Sequence, residues 1–494
     1  MNIKNRLKLA VKLTVKNLKS GIQKHSDRSL QIPWNFAQLG VLIFPVIPIL
    51  GALGIFLGLI GTYKQKTSEI SRRPVNRGFA ILSLLLVITA VFANNRIEAF
   101  LGLSNFLPFF ILFAAFSSLI QTPTQLRQLS WMIVISSIPV IILGFGQQFL
   151  GWSGIVQLQP VFGWVLEPTG NPPGRMASVF MYANILACYL TIVFILALGL
   201  WIEGRRKKEE GSSATNSVTD VTEFPTLNYR FLFLTFAVVG NAVCLIFTNS
   251  RNAWILAVLA VLAFAVYLGW KKLLTVVFSA VGTVLLSAFG PQPVRQYLRT
   301  IIPAFFWARL TDEMFPNRPT ATLRTTQWQF AWSMTQQRPW TGWGLRNFTP
   351  LYEAQMQQWL GHPHSLILML TAETGIPVTL FFLGLVGWVL ARGVLLLVNW
   401  RSHFPLDTQQ QEIEENGISS NTNRIICQDV NSGDRLIFFS YLLAFAACTL
   451  FNTVDVTLFD LRVNTISWLL LAAICGVSQR ASGIGHRGQK LGNK

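Results

Sequence analysis

The chain has 494 residues, of which 52% are hydrophobic and only 12% charged, with a mean hydropathy of +0.46. A soluble chain carries about 25% charged residues, so a string of ordinary soluble domains is excluded. Lys and Arg number 40 against 21 Asp and Glu, a net charge of +19; beside long apolar runs that excess marks the inner ends of membrane spans rather than a nucleic-acid partner.

Within residues 1–24, Ile3, Leu7, Val11, Val15, Leu18 and Ile22 recur at helical spacing opposite Lys4, Lys8, Lys12, Lys16 and Lys19. This predicts a basic amphipathic helix lying on anionic lipid, within a cytoplasmic segment 1–35. It does not read as a cleaved signal peptide, because the apolar run starts late, is too long and lacks a small-residue cleavage site. The next apolar stretch, 36–63, holds Pro45 and Pro48 and is 28 residues long, too long for one span and too short for two. Basic residues flank it on both sides, with Lys64, Lys66, Arg72, Arg73 and Arg77 following. Both flanks belong in the cytoplasm, which predicts a tight hairpin turning near the prolines.

A bilayer core needs about 20 apolar residues per helix. Runs of that kind lie at 78–94, 101–121, 130–150, 177–201, 231–248, 254–270, 273–289, 376–399, 435–452 and 464–478. With the hairpin they make about twelve spans with both ends in the cytoplasm. The inner connections carry Arg127, Arg205–Lys208, Lys271 and Lys272, and the short outer ones only Arg96, Arg175, Arg251 and Arg462. The expected fold is therefore an all-α polytopic membrane protein. Membrane helices fill 36–289 and 365–478, a large external loop spans 290–364, a cytoplasmic loop 400–435, and a basic tail 479–494. The external loop contains seven Arg, which is no contradiction, since loops beyond about 60 residues escape the charge rule. Within it Thr322–Gln336 predicts a surface helix with Arg324, Trp328 and Trp332 on one face. The polar segments 202–229 and 402–434 read as flexible connectors.

None of the cysteines (Cys188, Cys244, Cys427, Cys448, Cys475) falls in an outer loop, no Cys/His spacing suggests zinc, and no phosphate-binding glycine motif occurs. No metal or cofactor is expected. The topology instead gathers Arg175 (EPTGNPPGR), Arg251 (FTNSRNAW) and the His362–His364 pair (GHPHS) on the outer face at the membrane boundary. Two guanidinium forks suit a diphosphate, and a neutral imidazole can accept a proton from a hydroxyl. Taken singly, a helix-end Arg is more often a headgroup anchor and a loop His more often solvated. Outer-loop tryptophans (Trp152, Trp164, Trp307, Trp328, Trp332, Trp340, Trp343) stack on sugars or form an interfacial belt. Glu373 sits nine residues after His364, on the opposite side of a continuous helix, and reads as a structural or positioning residue unless Gly375 and Pro377 bend the segment. Asn184, Asn241, Asn452 and Asp455 are polar groups near or inside spans, suited equally to interhelical hydrogen bonds.

The motifs GRMASVFMYANILACYL, TNSRNAW, RTTQWQFAWSMTQQRPWTGWGLRNF and HPHSLILMLTAETGIP resemble, in order and spacing, the O-antigen ligase family over about 175–377. The resemblance implies a metal-independent glycosyltransferase of the GT-C kind. Such an enzyme moves a glycan from undecaprenyl diphosphate to an acceptor hydroxyl in the periplasm; the acceptor is lipid A-core, another lipid or a protein. By motif Arg175 and Arg251 would contact the diphosphate, with Arg324, Asn184, Trp328 and Glu373 in support. A histidine of the HPH segment would act at the acceptor. His364 is preferred over His362, because it precedes the family's usual Asn (here Ser365) and because Pro363 is expected to point His362 away from a span that begins near Ser365. Two further departures are Tyr182-Ala183-Asn184 for Asn-Pro-Asn, and Asn252 for a Gly. The ending FNTVDVTLFDLRVNTISWLLLAAICGV resembles a cyanobacterial subgroup linked to bicarbonate uptake, which implies a transport-related alternative; a repeat-unit polymerase is a third.

Overall fold

The computed structural model describes residues 24–155, 157, 162–164, 166–215, 229–311, 313, 319–400 and 420–492, with backbone alone for 207–215, 420–431 and 483–492. The amphipathic segment expected at 1–24 therefore lies outside the described residues, apart from its last position. The protein is 79% helical, with no sheet among the described residues.

The predicted hairpin is present. Helix α1 (Gln31–Ile43) turns through Phe44–Ile47 into α2 (Pro48–Arg72). The two pack closely because glycines face each other: a Cβ on Gly51 would lie 2.3 Å from the Phe44 Cα, and one on Gly40 2.6 Å from the Ile55 nitrogen. Proline opens both α2 and α3 (Pro74–Val91), where its missing N–H costs nothing.

The short α4 (Arg96–Gly102) leads into α5 (Leu107–Leu119), and α6 (Pro123–Leu150) follows behind a capping box formed by Thr122 and Gln125. Next come α7 (Ala183–Thr215), α8 (Tyr229–Phe247), α9 (Arg251–Leu268) and α10 (Lys271–Phe289). The 290–364 segment contributes α11 (Val294–Ile301), α12 (Ala304–Leu310), α13 (Arg324–Gln337) and α14 (Phe348–Met356). The chain then runs through α15 (Leu366–Thr374), α16 (Ile376–Val398), α17 (Ser420–Val454) and α18 (Leu461–Gly492). The polar connectors are taken up in part by helix: α7 runs on to Thr215 and α17 starts at Ser420.

Among the described residues ten helical segments are long and apolar enough to cross a membrane, and they coincide with the ten apolar runs. One boundary differs. The span expected from 177 begins at Ala183, and Met176–Phe180 is irregular backbone that is fully buried. Irregular backbone at a membrane boundary persists only where protein covers it. Here Gln147 accepts the N–H groups of Ala177 and Ser178 at 3.0 and 2.8 Å, and the Ser178 hydroxyl donates to the Val140 carbonyl at 2.7 Å.

Burial ranks the spans. The membrane part of α18 is 89% buried and that of α7 83%, against 11% for α10 and 22% for α16. So α7 and α18 form the centre, and α10 and α16 face lipid. At one end of the bundle Arg127 of α6 bridges Glu203 of α7 and Asp434 of α17 at 2.8 and 2.7 Å. The other end carries the irregular 166–182 segment, the α8–α9 corner, the described helices of 290–364 and the α17–α18 connection. The 290–364 segment has its own small core of Ala331, Met334, Phe348 and Tyr352, closed against Ala372 of α15.

Candidate active site at the end of α7 and α18

The site forms where the two most buried helices reach this end. Asn184 is the second residue of α7, and Asp455 immediately follows α17 in the short connection to α18. Asn184 Nδ2 donates to Asp455 Oδ2 at 2.5 Å, and Asn184 Oδ1 accepts from Arg175 Nη2. Arg175, 9% exposed, also donates from Nε to the Thr248 carbonyl at 2.8 Å. On its other oxygen Asp455 pairs with His364 Nδ1 at 2.9 Å and accepts the Val456 N–H at 2.9 Å. One polar chain therefore runs Arg175–Asn184–Asp455–His364.

The carboxylate decides the histidine tautomer. Burial works against charge on Asp455, but the hydrogen bond and charge of His364, with the Val456 N–H, hold its carboxyl down at about 2. An ionised carboxylate only accepts, so His364 Nδ1 carries a proton toward it, and in the neutral ring the lone pair then falls on Nε2. His364 itself sits at φ 50, in the left-handed region. Such a conformation in a non-glycine residue needs support from its surroundings, and the Asp455 bond together with the His364 N–H to His362 Nδ1 contact at 3.2 Å supplies it.

Pro363 does not part the two imidazoles. The His362 ring meets that of His364 edge-on at 4.6 Å and stacks on Phe459 at 5.9 Å. Proline restrains the backbone, while the reversal at His364 brings the two rings back together. Burial, followed by the neighbouring His364, pushes the His362 imidazole down to about 4, with Arg324 acting in the same direction and Asp455 against it. Nitrogen and oxygen atoms of His362, His364 and Asp455 lie within 4.8 Å of one another, so this is the set that is able to hold a metal ion among the described residues.

Arg251 opens α9, three residues beyond the Thr248 carbonyl that Arg175 grips, and is half-buried. Arg324 opens α13, close to the predicted start at Thr322, and its charge reaches His362. Trp328, one turn on, has a buried indole N–H without a hydrogen-bond partner among the described residues. Trp307 and Trp343 are stacked by Arg299 and Arg338 at 3.9 and 4.1 Å, while Trp340 is 76% exposed.

Glu373 stays apart from the histidines in its contacts. It is 2% exposed, and its Oε1 accepts the Phe348 N–H at 3.2 Å, tying α14 to α15. Burial pushes its carboxyl up to about 7. The helix does break at Gly375, but after Glu373: Gly375 has φ 81, and a Cβ there would lie 2.5 Å from the Trp340 carbonyl oxygen.

Two residues of this end were not singled out as site residues from the sequence. Asp455 is the hub, and an ionisable group at the end of an apolar span is a default functional suspect; that signal was present in FNTVDVTLFD and was given to Glu373 instead. Arg309, 7% exposed, donates from Nε and Nη2 to the Asn249 carbonyl at 3.3 and 3.2 Å. In the sequence it is one of seven arginines in a long loop, and nothing local distinguishes it.

Fold and site together define a polytopic all-α membrane protein whose polar centre joins the buried Arg175 guanidinium to a carboxylate-oriented imidazole. The family model described as O-antigen ligase matches residues 236–383, so that stretch is similar to the O-antigen ligase family. The match contains Arg251, Arg309, Arg324, both histidines and Glu373; Arg175, Asn184 and Asp455 lie outside it. No curated protein matches the chain.

Proposed function

We propose that the protein transfers a glycan from undecaprenyl diphosphate to an acceptor hydroxyl, at the periplasmic face of a bacterial inner membrane and with both termini cytoplasmic. The observation that carries this reading is the Arg175–Asn184–Asp455–His364 chain. It links an anion-holding group to a base through one carboxylate, in a chain whose residues 236–383 match the O-antigen ligase family model.

In this mechanism His364 Nε2 takes the proton of the acceptor hydroxyl as its oxygen attacks the anomeric carbon of the donor sugar. The bond from that carbon to the phosphate oxygen breaks, and undecaprenyl diphosphate leaves with the electron pair. Arg175 and Arg251 hold the diphosphate and offset the charge that develops on it. Asp455 stays ionised, fixes the His364 tautomer and stabilises the imidazolium formed. A positioned base of this kind contributes about 10²–10⁴-fold. His362 packs against the His364 ring and keeps it in place.

The test is transfer by the purified protein in lipid, using an undecaprenyl-diphosphate-linked glycan. His364→Ala is expected to lose nearly all transfer while still binding the donor, and Arg175→Lys and Arg251→Lys to lose donor binding while reaching the membrane normally. Normal transfer by His364→Ala, with impaired inorganic-carbon uptake in cells, would replace this reading with the transport-related one.

A further inference from the structure

The corner between α8 and α9 is only three residues long, Thr248–Ser250, and it presents Arg251. Asn249 lies in the left-handed region at φ 52. A non-glycine residue holds that conformation only where the surroundings enforce it. The Asn249 Oδ1 does not help, being buried with no donor among the described residues. The corner is held instead through two successive carbonyls, each gripped by an arginine: Thr248 by Arg175 Nε at 2.8 Å, and Asn249 by Arg309 Nε and Nη2 at 3.3 and 3.2 Å.

Arg309 arrives from α12, in the 290–364 segment. That short helix is docked on the first turn of α9, where the Trp254 ring lies 5.4 and 5.7 Å from those of Phe305 and Phe306. An apolar side chain would serve for packing alone. A buried guanidinium is costly unless it is hydrogen-bonded, and here its fork is spent on the backbone two residues before Arg251.

We propose that Arg309 is a positioning residue of the donor site, through which the large 290–364 segment locks the corner that aims Arg251 at the diphosphate; this rests on the glycan-transfer reading above. The coupling is reciprocal: a docked α12 favours diphosphate binding, and bound diphosphate favours a docked α12.

The test uses the full-length protein in lipid nanodiscs, with undecaprenyl diphosphate as the probe and hydrogen exchange of residues 248–254 as the structural readout. Arg309→Gln is expected to raise exchange at the corner before any probe is added and to weaken probe binding roughly tenfold. Arg309→Lys keeps the charge but not the fork, and should restore part of both. Trp254→Ala, which loosens α12 without touching a guanidinium, should reproduce the exchange change. Unaltered exchange and affinity in Arg309→Gln would overturn the role of Arg309 and leave the diphosphate reading standing. Faster exchange with unaltered affinity would also overturn it, by reducing Arg309 to a pin in the fold. A wild-type protein that does not bind undecaprenyl diphosphate would overturn the proposal together with the reading beneath it.

Discussion

The Nδ1 of His364 stands 2.9 Å from Oδ1 of Asp455, a contact made across 91 residues of chain. Asp455 meets Asn184, 271 residues away, on its other oxygen. The imidazole is therefore oriented by the same carboxylate that receives the arm from Arg175.

That relationship makes Asp455 the first target. In Asp455→Asn the neutral amide no longer demands a proton on His364 Nδ1 and no longer stabilises an imidazolium. Glycan transfer is expected to fall by about 10²–10⁴-fold, as for loss of the base itself. Transfer rates at matched membrane abundance test this; a rate within threefold of wild type would remove Asp455 from the mechanism.

Acidification should destabilise the protein through His362. Its imidazole is pushed down to about 4 from an ordinary value of 6.5, so between those values the unfolded chain binds more protons than the folded one. The contribution to stability is fully present above about pH 6.5 and is lost as pH falls toward 4. Asp455, held at about 2 against 3.8, adds a further loss below about pH 4. Thermal melts in detergent from pH 7.5 to 4 should show a falling Tm, and His362→Gln should flatten the decline above pH 4. Equal slopes in both proteins would contradict the burial of the imidazole.

Glu373 has the opposite sign. Its carboxyl is pushed up to about 7 from 4.5, so the folded state holds the extra proton and stability declines as pH rises through that interval. Glu373→Gln keeps an oxygen for the Phe348 N–H and carries no charge. Its Tm is expected to exceed that of wild type at pH 8 and to match it near pH 4.5. A lower Tm at pH 8 would mean that the ionised carboxylate is the form the fold requires.

The proximity of His362, His364 and Asp455 separates an imidazole base from a metal centre. With His364 acting as the base, EDTA should leave transfer intact, and added Zn²⁺ should inhibit by taking the same nitrogen and oxygen atoms. Loss of transfer in EDTA with recovery on adding back a divalent cation would replace the base with a metal.

Orientation is accessible to labelling. Cysteines at Ser153 or Gln292 should react with an impermeant thiol reagent added outside whole cells, and one at Ser213 should react only after lysis. Labelling of Ser213→Cys in intact cells would invert the topology and remove the site from the periplasm.

The sequence by itself determined the membrane framework. Apolar runs near 20 residues leave a helix as the only way to satisfy backbone hydrogen bonds in lipid, so the ten spans and the proline-marked hairpin were legible from residue order. The resemblance in 175–377 likewise pointed to Arg175, Arg251 and the HPH segment. What only the tertiary structure decided was which of these side chains meet. Asp455 and Arg309 are ordinary charges in the sequence; one became the hub and the other the clamp because α7 and α18 pack at the centre and α12 folds back onto α9. The ring of His362 likewise returned to His364 through a backbone reversal that no spacing rule predicts. Span formation is local and set by hydropathy, whereas the site is a set of hydrogen bonds between helix ends up to 271 residues apart, and those distances exist only once the helices have packed.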